Sequence, residues 1–188
     1  IGRETGSLIA SGVAAAGVIA IGSFACNDIN NTGANYSVGI GYGALANVTS
    51  GAGNTAIGYQ ALALETTGAG NTVIGYNAAP VQVGGSYNTV IGREAMLAAD
   101  GSESSNVAIG QSSMGGANNN STANNVAVGR NSLVGGTGAL TDSIAIGYFT
   151  ADGTGSIGGA NNIFMGSNAG GGTWATATSN KNVGIGVE

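Results

Sequence analysis

Glu94, Asp100 and Glu103 form the tightest group of carboxylates in this chain. Paired carboxylates are what glycosidic-bond hydrolysis requires, one as acid and one as base or nucleophile. The plainer reading, three charges that solvate an exposed edge and turn, is preferred here. With no histidine and one cysteine, Cys26, imidazole-based triads, ordinary zinc sites and intrachain disulfides are excluded. The aspartates Asp28, Asp100, Asp142 and Asp152 fall in or near turns at unmatched positions, unlike calcium-binding glycine-rich repeats, which need one in nearly every copy. The words Gly39-Ile40-Gly41-Tyr42-Gly43 and Gly184-Ile185-Gly186 resemble pieces of nucleotide-binding loops but lack the downstream acidic residue. No catalytic residue, cofactor or metal site is assigned, and the chain is not expected to be an enzyme. Tyr36, Tyr87, Phe149 and Trp174 sit in or beside variable segments, where exposed rings serve contact with a receptor.

The elements that carry these residues follow from self-similarity. The clearest copies of one short word are Asn54-Thr55-Ala56-Ile57-Gly58-Tyr59-Gln60-Ala61-Leu62, Asn71-Thr72-Val73-Ile74-Gly75-Tyr76-Asn77-Ala78-Ala79 and Asn88-Thr89-Val90-Ile91-Gly92-Arg93-Glu94-Ala95-Met96. Others centre on Gly22, Gly41, Gly110, Gly129, Gly147, Gly166 and Gly186, with a partial copy at Gly2, and consecutive glycines stand 17 to 20 residues apart. The spacing predicts an all-β parallel solenoid of about 10–11 coils, one repeat per coil, running through residues 1–188 as a single domain. The chain opens at Ile1 inside a repeat and is expected to be a segment of a longer fibre.

Aligned on the glycine, each column has a physical reading. The preceding residue is Ile21, Ile40, Ile57, Ile74, Ile91, Ile109, Val128, Ile146, Met165 or Ile185, a stack of large aliphatic groups expected to form the core ladder. Two places before the glycine the residues are mostly small, and three places before they are β-branched. Side chains alternate across a strand, so both faces are apolar. One thin coil covers one face only, and the small column is expected to meet another subunit. Thr55, Thr72 and Thr89 make a hydroxyl row of the kind ice binding would use, but share the face assigned to the interior. The asparagines that open the copies, Asn54, Asn71, Asn88, Asn106, Asn125, Asn162 and Asn182, are expected to bond up and down the rod as a ladder. Cys26 replaces a core Leu or Met and reads as a buried, inert thiol. Tyr42, Tyr59, Tyr76 and Tyr148 follow the glycine and are expected to pack over neighbouring turns. The segments 115–124, 152–161 and 170–181 should project as loops.

Composition agrees. The chain has 37 glycines and one proline without a Gly-X-Y period, which excludes collagen. It is 43% apolar and 7% charged, a poor match to disorder. Its net charge of −5 and scattered Arg3, Arg93, Arg130 and Lys181 give no phosphate-neutralising patch, so no nucleic-acid partner is expected. No apolar run is long enough to cross a membrane as a helix, and no membrane insertion is expected.

The word Asn-Thr-Ala/Val-Ile-Gly-Tyr-x-Ala-Leu, clearest from Asn54 to Leu62, resembles the YadA-like head repeats of trimeric autotransporter adhesins and related bacteriophage tail-fibre repeats, across essentially the whole chain. The resemblance implies a left-handed β-roll, a side-by-side homotrimer, and an extracellular adhesive or structural role on a virion or cell surface, facing a host-surface glycan or protein receptor. The coil of 17 to 20 residues is longer than that of autotransporter heads and closer to tail fibres. A carboxylate-dependent glycan depolymerase on a fibre scaffold and an ice-binding solenoid are the alternatives.

Overall fold

Each copy of the word makes one three-residue strand, because β-branched residues flank a small one just before a glycine that ends the strand. The computed structural model describes residues 16–28, 35–99, 101, 103–116, 122–134, 140–152, 159–170 and 180–187. In chain order the strands are β1 (Ile19–Ile21), β2 (Val38–Ile40), β3 (Thr55–Ile57), β4 (Thr72–Ile74), β5 (Thr89–Ile91), β6 (Val107–Ile109), β7 (Val126–Val128), β8 (Leu140–Thr141), β9 (Ile144–Ile146), β10 (Gly159–Ala160), β11 (Ile163–Met165) and β12 (Val183–Ile185). Ten of them form one sheet in the order β1-β2-β3-β4-β5-β6-β7-β9-β11-β12, and each adjacent pair is parallel, as in Ile57 opposite Ile74 and Ile74 opposite Ile91. The molecule is thus an all-β parallel solenoid, with no helix among the described residues. β8 and β10 pair in parallel on a second, shorter strip, extended by bridges between Ser104, Ala123 and Thr141. The partial copy at Gly2 and most of the three long segments lie outside the described residues.

Column alignment agrees with the repeat, but the facing is reversed. Ile21, Ile40, Ile57, Ile74, Ile91, Ile109, Val128, Ile146, Met165 and Ile185 stand in register yet lie half-buried or exposed. The interior belongs to the small column: Ala56, Val73, Val90, Ala108, Ala127 and Ala145 are wholly buried. The reason is the coil's narrow bore. Four residues past the glycine the chain turns Cys26, Leu45, Leu62, Met96, Met114 and Leu133 inward, and little space remains opposite them. At Gly39, an added Cβ would lie 2.5 Å from the Cys26 sulfur and 3.0 Å from the Ala44 carbonyl oxygen. The small column therefore fills this chain's own core and is not the surface left for another subunit.

The corners rest on positive φ. Two and four residues after the glycine the backbone enters the left-handed region in coil after coil, as at Gln60 (50°) and Leu62 (49°) or Glu94 (58°) and Met96 (48°). Non-glycine residues adopt this at a cost of about 1–2 kcal/mol each, here offset by inter-coil bonds such as Leu62 N–H to Ala78 O at 3.0 Å and by burial of the side chain. The motif glycine itself cannot be replaced. Gly75 has φ 145°, and a Cβ there would run into the carbonyl of Gly92 in the next coil.

The asparagine ladder forms as expected. Asn54 Oδ1 accepts from Asn71 N–H (2.9 Å) and Asn71 Nδ2 (3.1 Å), Asn71 Oδ1 accepts equivalently from Asn88, and the chain of bonds continues through Asn106 to Asn125. Ser143 takes one rung, its N–H donating to Asn125 Oδ1 at 3.0 Å. The amides of Asn54, Asn71, Asn88 and Asn106 also donate to a carbonyl of the neighbouring coil, as Asn71 Nδ2 does to Gly85 O at 2.7 Å. These side chains are buried, so the ladder satisfies groups that water does not reach.

Candidate interaction surface

Alternation places the residues one and three before the glycine on the outer side of the ten-stranded sheet. The outer rows run Ile19, Val38, Thr55, Thr72, Thr89, Val107, Val126, Ile144, Ile163 and Val183 beside the isoleucine row. Along β2 to β7 the pattern is partial exposure on both sides of a buried centre. The threonine row, expected to face inward, faces outward. The result is an aliphatic strip along the sheet, unbroken in the isoleucine row and carrying hydroxyls in the other at Thr55, Thr72 and Thr89. Contiguous apolar surface of this kind marks an interaction site.

Tyrosines border the strip. Tyr42 and Tyr59 stack with ring centroids 5.3 Å apart, Tyr59 and Tyr76 at 5.1 Å, which is the rung spacing of the sheet. Arg93 continues the column, its guanidinium carbon 5.8 Å from the Tyr76 centroid, and Arg130 does the same over Tyr148 at 5.7 Å. Phe24 meets the edge of Tyr42. The ring faces are used on one another, as packing over neighbouring turns requires.

The four aromatic contact candidates part company. Tyr36 and Tyr87 are 71% and 70% exposed, and each ring lies over a glycine of the preceding coil, Gly17 and Gly70, where an added Cβ would approach it to 2.9 Å. Phe149 is half-buried, edge-on to Tyr148 at 4.4 Å. Trp174 lies outside the described residues.

The three carboxylates do not share an outer groove. Glu94 is at the surface, bonded by Arg93 at 2.9 Å, whereas Glu103 is fully buried, its Oε2 accepting from Gly101 N–H at 3.1 Å. Asp100 lies outside the described residues. Burial of Glu103 corrects the expectation that it solvates an edge. Cys26 is buried as expected. Desolvation pushes its thiol from an ordinary 9.0 up to about 11, against a smaller lowering by the Gly39 backbone. Two further buried polar residues, Glu65 and Gln82, escaped the sequence reading. Their signal was available: both stand seven residues after a motif glycine, where Val48 and Ala99 stand in other copies. Among the described residues no group of three His, Cys, Asp or Glu forms a metal cluster, and no helix is long and apolar enough to cross a membrane.

The fold and the strip together define a parallel β-solenoid with an outward aliphatic face among the described residues. Comparison with protein-family models, curated proteins and solved structures finds no match.

Proposed function

We propose that this chain is a segment of a trimeric structural and adhesive fibre, displayed outside a virion or cell, which holds or forms a surface for a host glycan or protein receptor. The observation that carries the reading is the outward aliphatic strip, from Ile19 and Ile21 on β1 to Val183 and Ile185 on β12. Two rows of β-branched and aliphatic side chains along ten rungs are costly to leave in water, at roughly 25 cal/mol per Å² of apolar area, and a rigid rod can bury them only against another rod. Identical copies placed side by side in register present matching strips at every level. The resemblance to YadA-like heads and tail-fibre repeats supports three copies and a left-handed coil. Ten rungs at ~4.8 Å give a sheet roughly 45 Å long, a length suited to a spacer. Tyr36 and Tyr87 are the receptor contacts of this reading.

Its test is the mass in solution. Light scattering should give three times the chain mass of 17.9 kDa, and a monomer at micromolar concentration defeats the proposal.

One observation favours a second reading. Thr55, Thr72 and Thr89 stand outward beside Ile57, Ile74 and Ile91, giving a flat patch of hydroxyls and methyls at rung spacing, as an ice-binding face would need. The two readings compete for the same strip. A monomer that shows thermal hysteresis would exchange the first for the second.

A further inference from the structure

Seven residues after their motif glycines, two successive coils carry Glu65 and Gln82, both fully buried. Strands β3 and β4 are in register, so the two side chains stand one rung apart. The hydrogen bonds agree with this. Glu65 Oε1 accepts from the N–H groups of Thr67 (3.0 Å) and Gly68 (2.6 Å) in its own turn and from Gly84 N–H (2.7 Å), two residues past Gln82 on the next coil. Glu65 Oε2, by contrast, has no hydrogen-bond partner, and neither does Oε1 or Nε2 of Gln82. On the following coil Ala99 holds the same offset. There the fully buried Glu103 brings its carboxylate to Gly101 N–H, and Gly101 lies nine residues past Gly92, as Gly84 does past Gly75. A carboxylate, an amide and a second carboxylate thus occupy three consecutive rungs.

Buried polar atoms nearly always find a partner, and an exception points to an ordered water or ion. A buried carboxylate needs donors or a cation at its oxygens; three backbone N–H groups serve Glu65 Oε1, and Oε2 has none. We propose that the space between the Glu65 and Gln82 rungs binds one hard cation of the calcium class. Glu65 Oε2 and Gln82 Oε1 are its side-chain ligands, and the Glu103 carboxylate supplies the second negative charge. Gln82 Nε2 stands over Gly85 as Glu65 Oε2 stands over Gly68, and turning the amide, whose oxygen and nitrogen exchange places without cost in shape, sets Oε1 one rung, ~4.8 Å, from Oε2; a point midway then lies about 2.4 Å from each, within the calcium–oxygen range and too long for magnesium. The carbonyl of Gly85 points back at Gly68 on the Glu65 coil, accepts Asn71 Nδ2 at 2.7 Å and keeps a second lone pair for the ion. The glycines also make the room, since a Cβ on Gly68 would lie 2.7 Å from Glu65 Oε2. A bound ion would tie adjacent coils together.

The experiment uses the whole chain, stripped with EDTA and titrated with calcium chloride. Calorimetry should count one calcium per chain, and the melting temperature should rise with calcium. E65Q keeps the shape, loses the charge and should weaken binding by about tenfold or more, while E94Q at the surface should bind as the parent does. E65Q also mimics a protonated Glu65, so a calcium-independent protein that E65Q leaves intact shows a buried acid and overturns the proposal. Should E65Q fail to fold, terbium luminescence of the parent protein decides. An ion stripped of most of its water and displaced by calcium supports the site; a fully hydrated one overturns it.

Discussion

Phe164 fills the volume that Gly170 leaves empty. A Cβ on Gly170 would lie 2.5 Å from the Phe164 ring, and one on Gly184, in the next rung of the same small column, would lie 2.9 Å from it. Within a coil, the residue two before the glycine and the residue four after it share one cross-section. Gly39 sits opposite Leu45, Ala127 opposite Leu133, Val73 opposite Ala79 and Phe164 opposite Gly170, all buried except the half-buried Gly170. The constraint is on the pair's volume.

It follows that Gly170→Ala should destabilise the protein by roughly 1–3 kcal/mol, both from overpacking and because φ at Gly170 is 68°. Phe164→Ala leaves a cavity and should cost about 3–5 kcal/mol. The double variant with Leu at 170 and Ala at 164 should recover part of both losses, since it rebuilds the Ala127–Leu133 arrangement. A double-mutant cycle from urea melts reads the coupling, and additive losses would refute the shared volume.

Asn71 and Asn182 occupy the same column but not the same depth. Asn71 is buried and bonded on both sides, to Asn54 and Asn88, whereas Asn182 bonds below to Asn162 and is part-exposed. Asn71→Ala strands the N–H of Asn88 and the carbonyl of Gly85, each at about 1–3 kcal/mol. Asn182→Ala should cost well under half as much. Equal losses by chemical denaturation would mean that the ladder is not a buried device.

The rhythm of 17 to 20 residues was enough to read the parallel stack and the column membership of Ile57, Ile74 and Ile91, because identical residues recurring at one-coil intervals must align. Which face turned inward was not legible from hydrophobicity. Ile57 and Thr55 carry more apolar bulk than Ala56, and bulk alone predicts the core face. What decides is the bore, set by Leu62 and its equivalents swinging in through two left-handed corners at Gln60 and Leu62, a backbone feature no side-chain pattern displays. Glu103 departs from the surface position its charge predicts for a related reason. It occupies the column of Gly51, Gly68 and Gly85, and that register, once aligned, points it inward.

Cys26 gives a pH signature with a defined sign. Its thiol in the folded chain loses its proton near 11, against 9.0 when solvated, so between those values the unfolded chain binds fewer protons than the folded one. Stability from this group is full below about pH 9, falls as pH rises and levels off above about 11. The loss is at most about 2–3 kcal/mol. Comparing urea midpoints of the parent and Cys26→Ala at pH 7 and pH 10.5 isolates it from the tyrosines. A parallel pH dependence in both proteins would show that the thiol is solvated after all.

Val73 and Ile74 are chain neighbours with opposite fates. Val73 is wholly buried inside the coil, while Ile74 stands on the outer strip, half-buried. Val73→Asp places a charge where nothing can pair with it and should abolish folding, seen as loss of β circular dichroism and of a cooperative melt. Ile74→Asp keeps the coil's own core intact. If copies pack strip to strip, the three aspartates of a trimer converge at one level, where like charges in an apolar seam repel and lose their water. The variant should stay folded and sediment as a monomer or dimer, against the trimer proposed for the parent. The reverse outcome, with Val73→Asp tolerated and Ile74→Asp unfolded, would restore the isoleucine row to the core and remove the strip as an interface.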